Sequence, residues 1–235
     1  MRPVDVIQEA RVLLNDTRPS SYRYSLEDML RFYNDATKRI LMLRPDIFSD
    51  YLSFQVQEEV FAAELGTNQT VYAVLDMVGS AYSFQSVTGP YVALEEVPYD
   101  EFTRAKRLWV SDTPGLPTKY ARDPNNRRLV YLNPRPDQNV LVWATVARRS
   151  ELATSANMNQ NPDGNNMFVS GMYTPALVDA IVFMAQSIDD EHVNSNRARM
   201  FYESFINLLG VSERNADSRT APAPDTLREM RNDPQ

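Results

Sequence analysis

Apolar and polar positions change their period twice along this chain, and those changes divide it into three stretches. Val6, Ala10, Leu13 and Leu14 recur at helical spacing behind Pro3, which predicts a short helix over residues 4–14. Residues 15–23, with Arg18-Pro19-Ser20-Ser21, read as a turn. Ser25 then offers an N-cap, and Asp28 three residues on completes a capping-box pattern. The stripe that follows, Leu26, Met29/Leu30, Tyr33, Ala36/Thr37, Ile40 and Leu43/Arg44, predicts a long second helix ended by Pro45. At 1.5 Å per residue it would run about 28 Å.

From Tyr51 the period becomes two: Leu52, Phe54 and Val56 alternate with Ser53, Gln55 and Gln57. Further strands are expected at 70–78, 92–94, 118–122, 128–132 and 139–147, with Asn125-Asn126 as a hairpin turn. The last of these is apolar on both faces and should be central. Only 98–107, acidic at its start and basic at its end, reads as a helix within this stretch. Residues 154–166 are Asn-rich with Pro162-Asp163-Gly164 and read as an exposed loop.

Helical spacing returns at Thr174, a cap followed by Pro175, with Leu177, Ile181, Met184/Ala185 and Ile188 as the expected buried stripe. A last helix from about residue 196 carries Met200, Phe201, Phe205 and Leu208/Leu209, and stops at Gly210 in the C′ position. Residues 211–235 are too polar to build a core. The expected fold class is therefore α+β. A helical bundle forms from both chain ends (1–50 and 172–210), with a β-rich insertion between them (51–171) and an extended C-terminal tail (211–235).

Composition narrows the function classes. With 43% apolar residues among 235 the chain can bury a core, and neither a secretory leader nor a membrane span is expected from its pattern. It has no cysteine, which excludes disulfides, thiolate chemistry and Cys-based zinc sites. The net charge of -7 argues against a nucleic-acid clamp but suits a surface past which DNA slides. Arginine outnumbers lysine 21 to 3, a balance compatible with bidentate pairing at interfaces or with codon bias.

Candidate chemistry is sparse. The single histidine, His192, lies in Asp189-Asp190-Glu191-His192, where only Asp189 and His192 could share a helix face; a solvated helix end is the plainer reading, and no metal site or cofactor is expected. Seven glycines supply no phosphate-cradling loop. The pairs Glu58-Glu59 and Glu95-Glu96 would have to converge for a carboxylate-based hydrolase, and exposed strand ends explain them better. The basic clusters 104–107, 127–128 and 148–149 are either interface partners or ordinary solvated surface. The aromatic stretch 201–205 suits a core. No catalytic residue is expected.

Two segments carry a resemblance. RVLLNDTRPSSYRYSLEDMLRFYNDATKRILMLRPD, with Leu14, Asp16, Tyr24, Ser25, Glu27, Asp28, Asn34, Asp35, Leu43, Arg44, Pro45 and Asp46, resembles the amino terminus of podophage head-to-tail adaptor (connector) proteins. TPALVDAIVFMAQSIDDEHVNSNRARMFYESFINLLG resembles the closing helix pair of that family through Ser187, Asp189, Glu191, Arg197, Tyr202, Phe205, Leu209 and Gly210. Together the two cover roughly a third of the chain, while the β middle is similar only in its order of elements and the Asn-rich loop and tail look like additions.

The resemblance implies a structural virion protein at the head–tail junction, assembled in the host cytoplasm. Its copies would form a homo-oligomeric, twelve-fold ring beneath the phage portal protein, receive the tail nozzle or tail hub protein, and let genomic DNA pass through the lumen without sequence-specific binding. No membrane partner is implied. The tail would grip the portal, with Leu227 and Met230 as apolar anchors and Arg219, Arg228 and Arg231 as charge partners. Extended, its 25 residues would reach up to ~80 Å. The other reading within the virion is a tail-completion or nozzle protein.

Overall fold

A computed structural model describes residues 2–66, 71–82, 92–160, 171–188 and 195–210. Among these residues the helices are α1 (Pro3–Leu13), α2 (Leu26–Leu43), α3 (Tyr99–Ser111), α4 (Thr174–Ile188) and α5 (Ser195–Leu208). The strands are β1 (Ser49–Val56), β2 (Ala62–Glu64), β3 (Val71–Tyr82), β4 (Val92–Ala93), β5 (Glu95–Glu96), β6 (Lys119–Arg122), β7 (Leu129–Asn133) and β8 (Val140–Arg148). The mixed α+β class expected from the sequence is what this order gives.

α4 is apolar nearly all round, and accordingly it is buried nearly all round. Ala176, Leu177, Val178, Ala180, Ile181, Val182, Met184 and Ala185 are inaccessible or almost so. α1, α2 and α5 each present one stripe to it: Val6, Ile7 and Ala10; Met29, Tyr33, Ala36 and Ile40; Phe205, followed by Leu209 just past the helix. Each large side chain removed from water in this way contributes roughly 1.5–3 kcal/mol. One core thus draws on helices from both chain ends. It also takes in Phe48, from the 3-10 turn Pro45–Phe48, and two alanines of the sheet, Ala73 and Ala147, which face each other across β3 and β8. Their small side chains let the helices approach the sheet closely.

The strands form two four-stranded sheets, ordered β1-β8-β3-β4 and β2-β7-β6-β5. Phe54, Val56, Met77, Val140, Val142, Ala144 and Val146 of the first meet Tyr120, Val130 and Leu132 of the second in a separate core. Polar bridges close the gap: the Tyr120 hydroxyl donates to Asp76 (2.7 Å), Ser80 donates to the Pro117 carbonyl (2.6 Å), and the Val74 amide donates to the Arg127 carbonyl (2.8 Å). Burial and the Asp76 carboxylate push the Tyr120 phenol well above its ordinary value. The other face of the second sheet carries Ala121 and Tyr131, covered by Phe102 and Trp109 of α3, and the Phe102 and Tyr131 rings stack at 4.4 Å.

The strand expected to be central is central: β8 lies between β1 and β3. The 118–122 and 128–132 segments pair as an antiparallel hairpin, offset by one residue from the expected bounds, and its turn is organised by Asp123. That carboxylate accepts the amides of Asn125 (2.8 Å) and Asn126 (3.0 Å). β2 and β5 had no signal in the sequence, because strands of two or three residues show no alternation. The helical stripes were drawn too wide. Ile188, expected inside, is 59% exposed, and Met200 (69%) and Leu208 (47%) on α5 also face outward. Residues 161–166 of the Asn-rich loop lie outside the described part, while 154–160 form successive turns.

Candidate functional site

The residues singled out by the resemblance in the helical part converge on the joints between elements. Asp16 follows α1 and is buried. It pairs with the buried Arg11 guanidinium and accepts the amides of Arg23 (2.7 Å) and Tyr24 (3.4 Å). Arg11 in turn donates to the Tyr24 carbonyl (2.9 Å) and lies 3.8 Å over the Tyr22 ring. This knot folds the α1–α2 connection back on itself. Tyr24 then reaches across to α4, its hydroxyl donating to the Ala185 carbonyl (3.2 Å), and burial raises its phenol above the ordinary value.

Ser25 is the N-cap of α2, accepting the Asp28 amide at 3.0 Å, while its hydroxyl donates to the Asp28 carboxylate at 2.7 Å. Asn34 sits mid-helix, where Asn has poor propensity, and its amide explains its presence. It donates to the Ala153 carbonyl (2.9 Å) and accepts the Ala153 amide (2.8 Å), pairing with that residue as a strand neighbour would. Asp35, by contrast, pairs along its own helix, with Lys38 at 3.2 Å on the surface. Beside the Asn34 joint runs a groove of about 740 Å³ between α2 and residues 152–155, lined by Leu26, Leu30, Arg31, Asp35 and Leu152.

Arg44 caps the far end of α2 and serves two elements. It forms a bidentate pair with Asp46 (2.8 and 2.9 Å) and donates to the Leu209 carbonyl at the end of α5. The Asp46 pairing raises the Arg44 pKa above its ordinary value. Pro45 opens the 3-10 turn between them. Gly210, expected at C′, has φ +63, the left-handed conformation that an L side chain resists. A hollow of about 340 Å³ at this end is lined by Arg44, Met172, Tyr173, Leu208 and Gly210.

Arg197 donates to the Leu13 carbonyl (2.7 Å), tying the start of α5 to the end of α1. Tyr202 packs its ring on Phe183 of α4 at 5.1 Å and is otherwise half exposed, so within 201–205 only Phe205 is a full core residue. Between the same two helices Ser204 donates to Asp179 (2.6 Å), whose carboxyl burial raises above its usual range. Asp189, Glu191, His192 and the tail residues Arg219, Leu227, Arg228, Met230 and Arg231 lie outside the described residues.

Other sequence candidates are absorbed within the chain. Arg128 pairs with Glu64, Arg148 with Asp50 (3.0 Å), and Arg127 lies over the Tyr72 ring; Arg104, Lys106 and Arg107 are on the surface of α3. Glu96 pairs with Arg122 (2.7 Å) and Glu95 with Lys119 (4.0 Å), so this acidic pair is matched to bases. Glu58 and Glu59 occupy the turn after β1. The described residues hold no group of three or more His, Asp or Glu placed to bind a metal ion. No helix among them is long and apolar enough to cross a membrane.

What the fold and its joints define is a mixed α+β protein whose distinctive polar side chains fasten its elements together. The chain belongs to the SU10 adaptor protein family, whose model matches residues 1–228, and the resemblance to phage adaptor proteins is thereby shown. That span is wider than the third of the chain on which the resemblance rested. It takes in the β middle and the tail as far as Arg228. It makes the chain a structural phage protein, a virion component that works through other phage structural proteins. No curated protein matches it.

Proposed function

We propose that the chain is a non-catalytic head-to-tail adaptor: a ring subunit that sits below the portal protein, joins it to the tail nozzle or hub, and lines the channel through which DNA leaves. The observation that carries this reading is the family match over residues 1–228. The joints support it, because a subunit that transmits load between head and tail has to be rigid: Asp16, Arg44 and Arg197 tie α1, α2 and α5 together, Asn34 ties α2 to Ala153, and Tyr24 and Ser204 tie α4 in. In this reading residues 1–50 and 172–210 are the ring-forming helical bundle and residues 51–171 an insertion facing a partner. The net charge of -7 supports a lumen that repels DNA phosphate.

Portal binding is assigned to the tail, residues 211–235, which follows α5 in the chain and carries Arg219, Leu227, Arg228, Met230 and Arg231. The test is binding of the full chain and of a chain lacking residues 211–235 to portal-containing heads. Loss of binding on truncation, with an unchanged circular dichroism spectrum, is the expected result. Undiminished binding would remove the tail from the portal contact. Electron microscopy of virions with the chain traced in a position other than the head–tail junction would overturn the adaptor reading as a whole.

A further inference from the structure

The groove between α2 and residues 152–155 is held open by the fold. The two hydrogen bonds between Asn34 and Ala153, at 2.9 and 2.8 Å, fix its walls relative to each other. Leu26 and Leu152 line it and remain 41% and 55% exposed, with the buried Leu30 and Ala153 beside them. Its volume of about 740 Å³ falls within the ~300–1,000 Å³ of sites that bury a small ligand. Exposed leucines in such a place are apolar surface left in water, and covering them is favourable.

Only one wall of the groove is charged. Residues 152–155 carry no charge, whereas the α2 wall has Glu27, Asp28 and Asp35 against Arg31 and Lys38. Asp28 pairs with Arg31 at 3.1 Å and Asp35 with Lys38 at 3.2 Å, which leaves Glu27 as the surplus acid of that wall. A fitting occupant therefore has apolar anchors and a basic flank on one side.

The chain itself carries such a segment within reach. Leu227 and Met230 are three residues apart, and so are Arg228 and Arg231; on a helix that spacing puts the apolar pair on one face and the arginines along its flank. Arg44 fastens the Leu209 carbonyl to the C-terminal end of α2, and the groove runs back along that same helix from Lys38 to Leu26. From Arg44 to Leu30 is about 21 Å at about 1.5 Å per residue. Residues 211–226, extended, reach up to ~53 Å at ~3.3 Å each. We infer that the groove is the docking site of residues 225–231 of the same chain. Leu227 and Met230 enter against Leu26, Leu30 and Leu152, and Arg228 and Arg231 lie along the acidic wall. Being tethered, the segment meets the groove at a high effective concentration. The inference shares the tail with the portal reading and goes beyond it: the segment rests on its own subunit until a partner is met, and portal binding lifts the same side chains out.

Because the chain has no cysteine, a single introduced thiol reports on the groove. Ser155, exposed and lining the groove, is replaced by Cys in three backgrounds: the full chain, a chain ending at Gly210, and a full chain carrying Leu227→Ser and Met230→Ser. Labelling of the isolated protein by a bulky maleimide should be about tenfold slower in the first than in the other two. Equal rates in all three would overturn the inference, and so would protection that survives the serine replacements. Protection that grows with protein concentration would give the groove to the tail of another copy and overturn docking within one chain. The serine variant leaves every described residue in place, so its result holds even where the truncated chain fails to fold.

A cross-link gives a second readout. The double variant Thr154→Cys/Glu229→Cys, treated with a short bismaleimide at low protein concentration, should yield a monomer of altered electrophoretic mobility. Covalent dimers alone, or no product, would refute the assignment. Glu27→Lys should raise the labelling rate of Ser155→Cys in the full chain, because the surplus acid of the wall is reversed; an unchanged rate would count against the docked orientation. Neither measurement involves portal-containing heads, so failure here leaves the portal reading standing. Undiminished head binding by the truncated chain would fail that reading and leave the groove assignment standing.

Discussion

Replacing Asp16 by Asn tests the α1–α2 knot most directly. The change is nearly isosteric, so packing is preserved, and the new amide oxygen can still accept one of the two backbone amides that Asp16 serves, Arg23 (2.7 Å) or Tyr24 (3.4 Å). What disappears is the negative partner of Arg11. Both side chains are almost fully buried, 7% and 3% exposed, so water cannot replace the lost interaction. Removing one member of a buried ion pair costs about 3–5 kcal/mol, mostly the penalty of an uncompensated buried charge.

Arg11 keeps two consolations, the Tyr24 carbonyl at 2.9 Å and the Tyr22 ring at 3.8 Å, which place the expected loss at the lower end, about 3 kcal/mol. For a chain of this size each kcal/mol lowers the melting temperature by about 2–4 °C, giving a drop of about 6–12 °C. Urea unfolding followed by far-ultraviolet circular dichroism should show a lower midpoint with an unchanged slope. The double variant Arg11→Met/Asp16→Asn removes the stranded charge as well. It should be more stable than the sum of the single losses predicts, by at least about 1.5 kcal/mol. A loss below about 1 kcal/mol for Asp16→Asn, or strictly additive losses, would refute the view that this pair holds the connection together.

The Asn34 joint and the buried tyrosines give two further expectations. Asn34→Ala strands both backbone groups of Ala153 and should cost about 1–3 kcal/mol, with faster amide exchange over residues 150–158 and little change within α2; unchanged exchange there would remove Asn34 from the joint. Burial pushes the Tyr33 and Tyr131 phenols up to about 12 from 10.0. The folded state therefore holds these protons more tightly than the unfolded state does. Their stabilising contribution is complete below pH 10 and is lost as pH rises toward 12. Phenolate absorbance of the two should appear together with unfolding in that window, and Tyr33→Phe should flatten the fall in stability there.

Most of the helical part was legible in the sequence because its signals are local. Ser25 with Asp28, Pro45 after Arg44, and Gly210 at φ +63 are start and stop marks whose physics involves only neighbouring residues. The α4 stripe could be seen for the same reason. Two of the errors fall at ends: Ile188 and Leu208 continue a helical period on paper, but they lie where the packed surface has already ended. Period reports direction around a helix and says nothing of how far along it the neighbouring helices extend.

The joints themselves were out of reach. The resemblance picked out Asp16, Asn34, Arg44 and Arg197 as residue types at positions, whereas their partners, Arg11 with Tyr24, Ala153, Leu209 and Leu13, lie as much as 184 residues away. The charged pairs of the β part were hidden similarly: Glu96 reads as an acidic run until β5 pairs with β6 and brings Arg122 beside it. The pairing of β1 with β8 could not be read either, since its alternation is the same whichever strand lies beside it. By itself the sequence determined where the helices and the longer strands lie, and that the chain lacks thiol chemistry, because those follow from composition and nearest neighbours. Only the tertiary structure decided which polar groups meet and which strands lie side by side, because both depend on contacts between residues far apart in the chain.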